Sequence, residues 1–162
     1  MGTLIQTLLD ITLLRKGPQH IPASWLLFGV AVVLRTLAVL LLVVAIEQFT
    51  MQSVKADLVI WLIGLLCFGG VLVAVGKRER LAQTMTALVG IGAIVTFAMF
   101  LVTVVGGALF AQQPVMTVAQ LVLLWSVVVK GHIMANATGW HWYAGLLISL
   151  GVLLLQLVAG QQ

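Results

Sequence analysis

The sequence predicts an all-α integral membrane bundle of five transmembrane helices, preceded by a short interfacial amphipathic helix. Three observations carry that reading. Hydrophobic residues make up 62% of the 162-residue chain and charged residues only 7%, where a soluble domain carries roughly 25% charged residues. The apolar residues fall into five long runs, and a bilayer core about 30 Å thick needs roughly 20 such residues per helical span. The loops between the runs are short, which leaves no room for a sizeable soluble domain and makes residues 1–162 a single transmembrane domain.

Residues 1–16 form the interfacial element. Leu4, Ile5, Leu8, Leu9 and Leu13 recur at three- and four-residue steps with Gln6, Thr7 and Asp10 between them, the pattern of an amphipathic helix. At about 14 residues the stretch is too short to span, so it is expected in the interface. It does not read as a signal peptide, because the basic pair Arg15 and Lys16 follows the apolar stretch instead of preceding it. Gln6 also stands where a myristoylation pattern wants Ser or Thr. The next segment, "RKGPQHIPAS", carries Gly17, Pro18 and Pro22, which a continuous helix does not accept. Ser24 is placed to cap the helix that follows.

The spans are expected at residues 25–46, 58–75, 81–110, 115–135 and 142–158. The third, about 30 residues or about 45 Å long, must tilt or project beyond the membrane. Pro114 can begin the fourth without losing a helical hydrogen bond. Arg15 and Lys16 precede the first span and Lys77, Arg78 and Arg80 follow the second, whereas Lys55 is the one basic residue in an opposite-side loop. The positive-inside rule then sets the N-terminus in the cytoplasm and, with five spans, the C-terminus outside. Gln161 and Gln162 give that tail no side-chain charge to carry across.

Arg35 stands about eleven residues into the first span, roughly 16 Å deep, where insertion scales put its cost at about 2.5–3.5 kcal/mol. It should face the bundle, another protein or a water-filled defect. Glu47 and Asp57 fall near the outer surface and Asp10 and Glu79 near the inner one, so no acid of this chain is expected at its depth. The hydroxyls of Thr36, Thr96 and Thr103 are internal partners for it; an acid on another subunit or an anionic lipid is the external one. Lys130 lies near the inner end of the fourth span, where its amine can extend toward headgroups. Trp25, Trp61, Trp140, Trp142 and Tyr143 fit interfacial aromatic belts.

Small residues mark where helices can meet. Ala82, Thr86 and Gly90 are spaced by four, as are Gly92 and Thr96, and Gly145 and Ser149; such ridges allow close backbone approach, and they make the third span the expected centre of the bundle. His20, His132 and His141 are too few, with only Asp10 and Glu79 near them, to suggest a metal or haem site. The single cysteine, Cys67, excludes an internal disulfide. No catalytic triad, HExxH or phosphate loop is present, and Gly90 to Gly92 lacks the rest of a dinucleotide fingerprint. No enzyme activity, cofactor, metal or nucleic-acid partner is expected.

The N-terminal segment, five short-looped spans, a basic turn after the second, and "TMTALVGIGAIVTFAMFLVTVVGG" followed by "LLWSVVVKGHIMANATGWHWYAGLLISL" together resemble the Ypt-interacting-protein (Yip) superfamily of small five-span membrane proteins, particularly its bacterial members. The resemblance covers roughly the third to fifth spans. It implies a non-enzymatic partner-binding role and a bacterial inner-membrane location; the long cytoplasmic N-terminal region of the eukaryotic members has no counterpart here, and no functional residue is carried over. The expected function is that of an accessory, assembly or scaffold subunit of a larger membrane complex. The alternatives are a small channel or transporter component with Arg35 and Lys130 lining an anion path, and a haem-bearing electron-transfer subunit using His132 or His141.

Overall fold

A computed structural model describes residues 2–45, 50–110 and 112–160. Glu47, Gln161 and Gln162, which entered the charge and topology expectations, lie outside them. Among the described residues, five helices are long and apolar enough to cross a membrane: Trp25–Ala45, Val54–Ala74, Arg78–Leu109, Gln112–Thr138 and Trp142–Ala159. The chain is an all-helical, multi-pass membrane protein, with no strand among the described residues.

In chain order the helices are α1 (Gly2–Thr12), α2 (Trp25–Ala45), α3 (Met51–Ala74), α4 (Leu81–Leu101), α5 (Gln112–Thr138) and α6 (Trp142–Ala159). Beyond Leu101 the α4 rod continues through a π-helical turn, Val102–Gly106, and a last α-turn, Gly107–Leu109. Three boundaries differ from the sequence expectation. α3 begins two turns earlier than residue 58, α5 takes Pro114 into its first turn, and α5 runs on to Thr138. Asn136 therefore lies on the helix, and the bend before α6 falls at Gly139 to His141.

The helix ends have a common geometry. α3 and α5 are followed by Gly76 (φ 75°) and Gly139 (φ 79°) in the left-handed region. The next amides, of Lys77 and Trp140, donate back to the Leu72 and Ala135 carbonyls at 2.9 and 3.1 Å, satisfying carbonyls that a helix end leaves open. α1 closes in the same way, with Arg15 N–H on the Asp10 carbonyl at 2.8 Å. There, however, the left-handed residue is Leu14 (φ 61°), a conformation that costs a residue with a Cβ about 1–2 kcal/mol.

α4 is the hub. It packs along α2 on one side and on α5 on the other, and it also touches α1 and α3. Thr84 through Ile91 are all buried. Of the small residues, Ala82, Thr86 and Gly90 are buried, but a Cβ on Gly92 would meet nothing within 4 Å. Gly90 receives Leu8 of α1, whose side chain lies 2.9 Å from where its Cβ would be. α1 is thus docked on the bundle: Leu8 and Ile11 are buried, and Trp125 Nε1 donates to the Thr12 carbonyl at 3.2 Å.

The tightest contact is between α5 and α6. A Cβ on Gly145 would fall on the Gly131 carbonyl oxygen and within 2.7 Å of the Ala135 nitrogen. One turn on, Ser149 Oγ donates to the Val127 carbonyl at 2.9 Å. α6 then holds α3, with Gln156 Nε2 donating to the Ile60 carbonyl at 2.8 Å.

One hydroxyl in this core is unmatched. Thr84 is fully buried and its Oγ1 has no hydrogen-bond partner among the described residues. Burying such a group without a partner costs about 1–3 kcal/mol. Thr84→Val keeps the shape and removes the hydroxyl, so it is expected to raise the detergent unfolding midpoint; a clear loss of stability would show that the hydroxyl is bonded in the native protein.

Candidate functional site

The charged groups inside the spans include Arg35 on α2, Asp57 on α3 and Lys130 on α5. Arg35 lies ten residues past Trp25, about 15 Å along α2. Its Nη2 donates to both carboxylate oxygens of Asp57, each at 3.0 Å. The guanidinium carbon sits 4.9 Å from the centroid of the Trp61 ring, within range for a cation–π contact. Asp57 and Trp61 are four residues apart on α3, so one helix face presents both.

This corrects the expectation that the chain supplies no acid at the depth of Arg35. Extending α3 back to Met51 puts Asp57 inside the helix, and the long arginine side chain closes the remaining gap. Trp61, expected as an interface anchor, meets the Arg35 guanidinium. The threonines expected to serve Arg35 do not: Thr36 and Thr103 donate to their own helices, at Val32 and Met99. The Arg35 side chain is only 13% exposed and that of Asp57 39%. α2 and α3 otherwise share almost no backbone contact, so the ion pair and the aromatic contact bridge an open seam.

Lys130 stands differently from expectation as well. It lies eight residues before the end of α5, about 12 Å from it, farther in than the sequence suggested. Its neighbours one turn away, Ser126, Val127, Ile133 and Met134, are all buried, so Lys130 shares the inward face. It is half-buried and within electrostatic reach of Arg35. No hydrogen bond or ion pair satisfies its ammonium among the described residues. Asp57 is thus committed to Arg35, and Lys130 of α5 has no carboxylate paired with it among the described residues.

The histidines are used structurally. His132 Nε2 is 3.1 Å from the Lys16 carbonyl and beside the Asn136 amide, tying the segment after α1 to α5. His20 Nδ1 meets the Gly17 carbonyl at 3.1 Å, and His141 stacks on Tyr143 with ring centroids 5.2 Å apart. No three His, Cys, Asp or Glu side chains gather into a metal-binding group among the described residues. Trp140, Trp142 and Tyr143 are exposed at the α5–α6 bend, as is Trp25 at the start of α2. Arg80 Nη1 donates to the Asn136 and Ala137 carbonyls at 3.2 Å, where a cation also favours the helix C-terminus.

Two features were not anticipated. One is Gly131, the partner of Gly145; its spacing from Ala135 matches that of Gly145 from Ser149, and that repeat was the available signal. The other is the π-helical turn at Val102–Gly106, for which the sequence carries no marker. The chain matches no protein-family model, no curated protein and no solved structure.

Proposed function

We propose that this multi-pass protein is a non-enzymatic accessory or assembly subunit that accepts an acidic group from a partner within the membrane. The observation that carries the reading is the unequal pairing of the two cations on the spans. Arg35 is matched by Asp57, while Lys130 is half-buried with no carboxylate of its own. An unpaired cation inside a membrane bundle is costly and marks a functional contact. The acid, expected from sequence at Arg35, is now assigned to Lys130, and the thinly packed seam between α2 and α3 is where a partner helix can enter. An inner-membrane location, a cytoplasmic N-terminus and kinship with the Yip superfamily belong to the same proposal.

The second reading, an anion path, draws on the same two cations. The cavities along the spans argue against it: those between α1, α2 and α4, between α4 and α5, and around Gly106 and Pro114 are lined almost wholly by apolar side chains. An anion path needs polar groups along its length. Purification from native membranes in mild detergent, with mass spectrometry of what accompanies the chain, should reveal a stoichiometric membrane partner. Anion flux into liposomes containing this protein alone, abolished by Lys130→Gln, would overturn the proposal in favour of the second reading.

A further inference from the structure

A groove of about 420 Å³ lies between α1, α2 and α4, within the range of roughly 300–1,000 Å³ that takes small ligands. Its α2 wall runs from Val30 to Leu41, and Ala31, Ala38, Gly90 and Ala93 keep the floor low. The one hydroxyl in the walls, on Thr86, is spent on the Ala82 carbonyl at 2.7 Å. Nothing polar is left inside. From Val30 to Leu41 is about 16 Å of helix, close to half of the roughly 30 Å hydrocarbon core. That length along the helix is comparable to the reach of one acyl chain.

Leu9 forms the α1 lip of this groove and also borders a second concavity on the same helix, with Gln6, Asp10 and Lys16. There Lys16 Nζ lies 2.7 Å from Asp10 Oδ2, with side chains 40% and 29% exposed. The Lys16 hydrogen bond holds the Asp10 carboxyl below its usual range, against the opposing effect of burial. An ammonium has three donors and a carboxylate roughly four acceptor positions, so the pair can take further partners of both signs.

We propose that the two concavities together bind a single phospholipid of the surrounding bilayer whose zwitterionic headgroup carries a primary amine, a phosphatidylethanolamine. One acyl chain fills the groove between α2 and α4. The phosphate accepts from Lys16 and the ammonium donates to Asp10, which sets an alternating array of four charges on the flank of α1. Phosphatidylcholine offers Asp10 no N–H, and phosphatidylglycerol offers it no cation. Filling the groove also restores dispersion contacts that its lining side chains otherwise lack.

The test uses the full chain reconstituted in vesicles of phosphatidylethanolamine, phosphatidylglycerol and phosphatidylcholine in equal parts, re-extracted in mild detergent and read by native mass spectrometry. Wild type should keep a single bound lipid, with phosphatidylethanolamine favoured several-fold over the other two. Asp10→Asn should erase that preference while a lipid is still bound. Ala38→Phe, which fills the groove floor, should release the lipid with the helical circular dichroism unchanged; if it does not fold, Ala31→Leu does the same with less added volume. Equal retention of all three lipids by wild type overturns the proposal, as does a bound lipid in the groove-filling variants, or a second copy of the chain in place of lipid.

Discussion

Replacing Gly145 with leucine is expected to detach α6 from the bundle. The new side chain must pass through the space held by the Gly131 carbonyl and the Ala135 nitrogen, both backbone, which no rotamer change can move. Overpacking a core costs roughly 1–3 kcal/mol, and a clash with backbone belongs at or above the top of that range. The loss spreads, because α6 also carries the Ser149 bond to Val127 and the Gln156 bond to Ile60. Gly151 is on the same helix and exposed, and its added Cβ would meet nothing within 4 Å, so Gly151→Leu should be close to neutral. Unfolding of both variants in denaturing detergent checks this. Equal stability of the two would mean that α5 and α6 do not approach at Gly131.

The second large effect concerns Arg35. Removing one partner of a buried ion pair costs about 3–5 kcal/mol, and the exposure of Asp57 moves the expectation toward the lower figure. Asp57→Leu should destabilise more than Arg35→Leu, because it leaves a guanidinium uncompensated inside the membrane. The double variant, Arg35→Leu with Asp57→Leu, should recover most of the loss, since replacing a buried pair with apolar residues is often neutral. A double-mutant cycle on unfolding midpoints gives the coupling directly, and additive losses would show that the two side chains are not paired.

The fold was legible because its causes are local. Runs such as the one from Trp25 onward hold about 20 apolar residues with no proline, and the bilayer allows a single chain segment little but a helix there. The ends at Gly76 and Gly139 were likewise marked by a residue type. The site was less legible, since pairing across a seam depends on register and not on composition. The polar "MQSVKAD" before the apolar run makes Asp57 look like a loop residue, yet none of those residues breaks a helix. Read as helical, the stretch sets Asp57 and Trp61 on one face, the available hint that Arg35 had a partner. Leu14 in a left-handed end and Lys130 on the inward face of α5 left no such hint, because tertiary packing decides both.

The central claim is that the bundle satisfies Arg35 internally and leaves Lys130 for a partner's acid. The most direct measurement is affinity purification from native membranes of three proteins side by side: wild type, the Arg35→Leu and Asp57→Leu double variant, and Lys130→Leu, each first shown to be made and inserted. A stoichiometric partner that stays with wild type and the double variant and is lost from Lys130→Leu is the result expected. A partner that stays with Lys130→Leu, or one lost from the double variant alone, would contradict the claim and return the contact to Arg35 or to another face of the bundle.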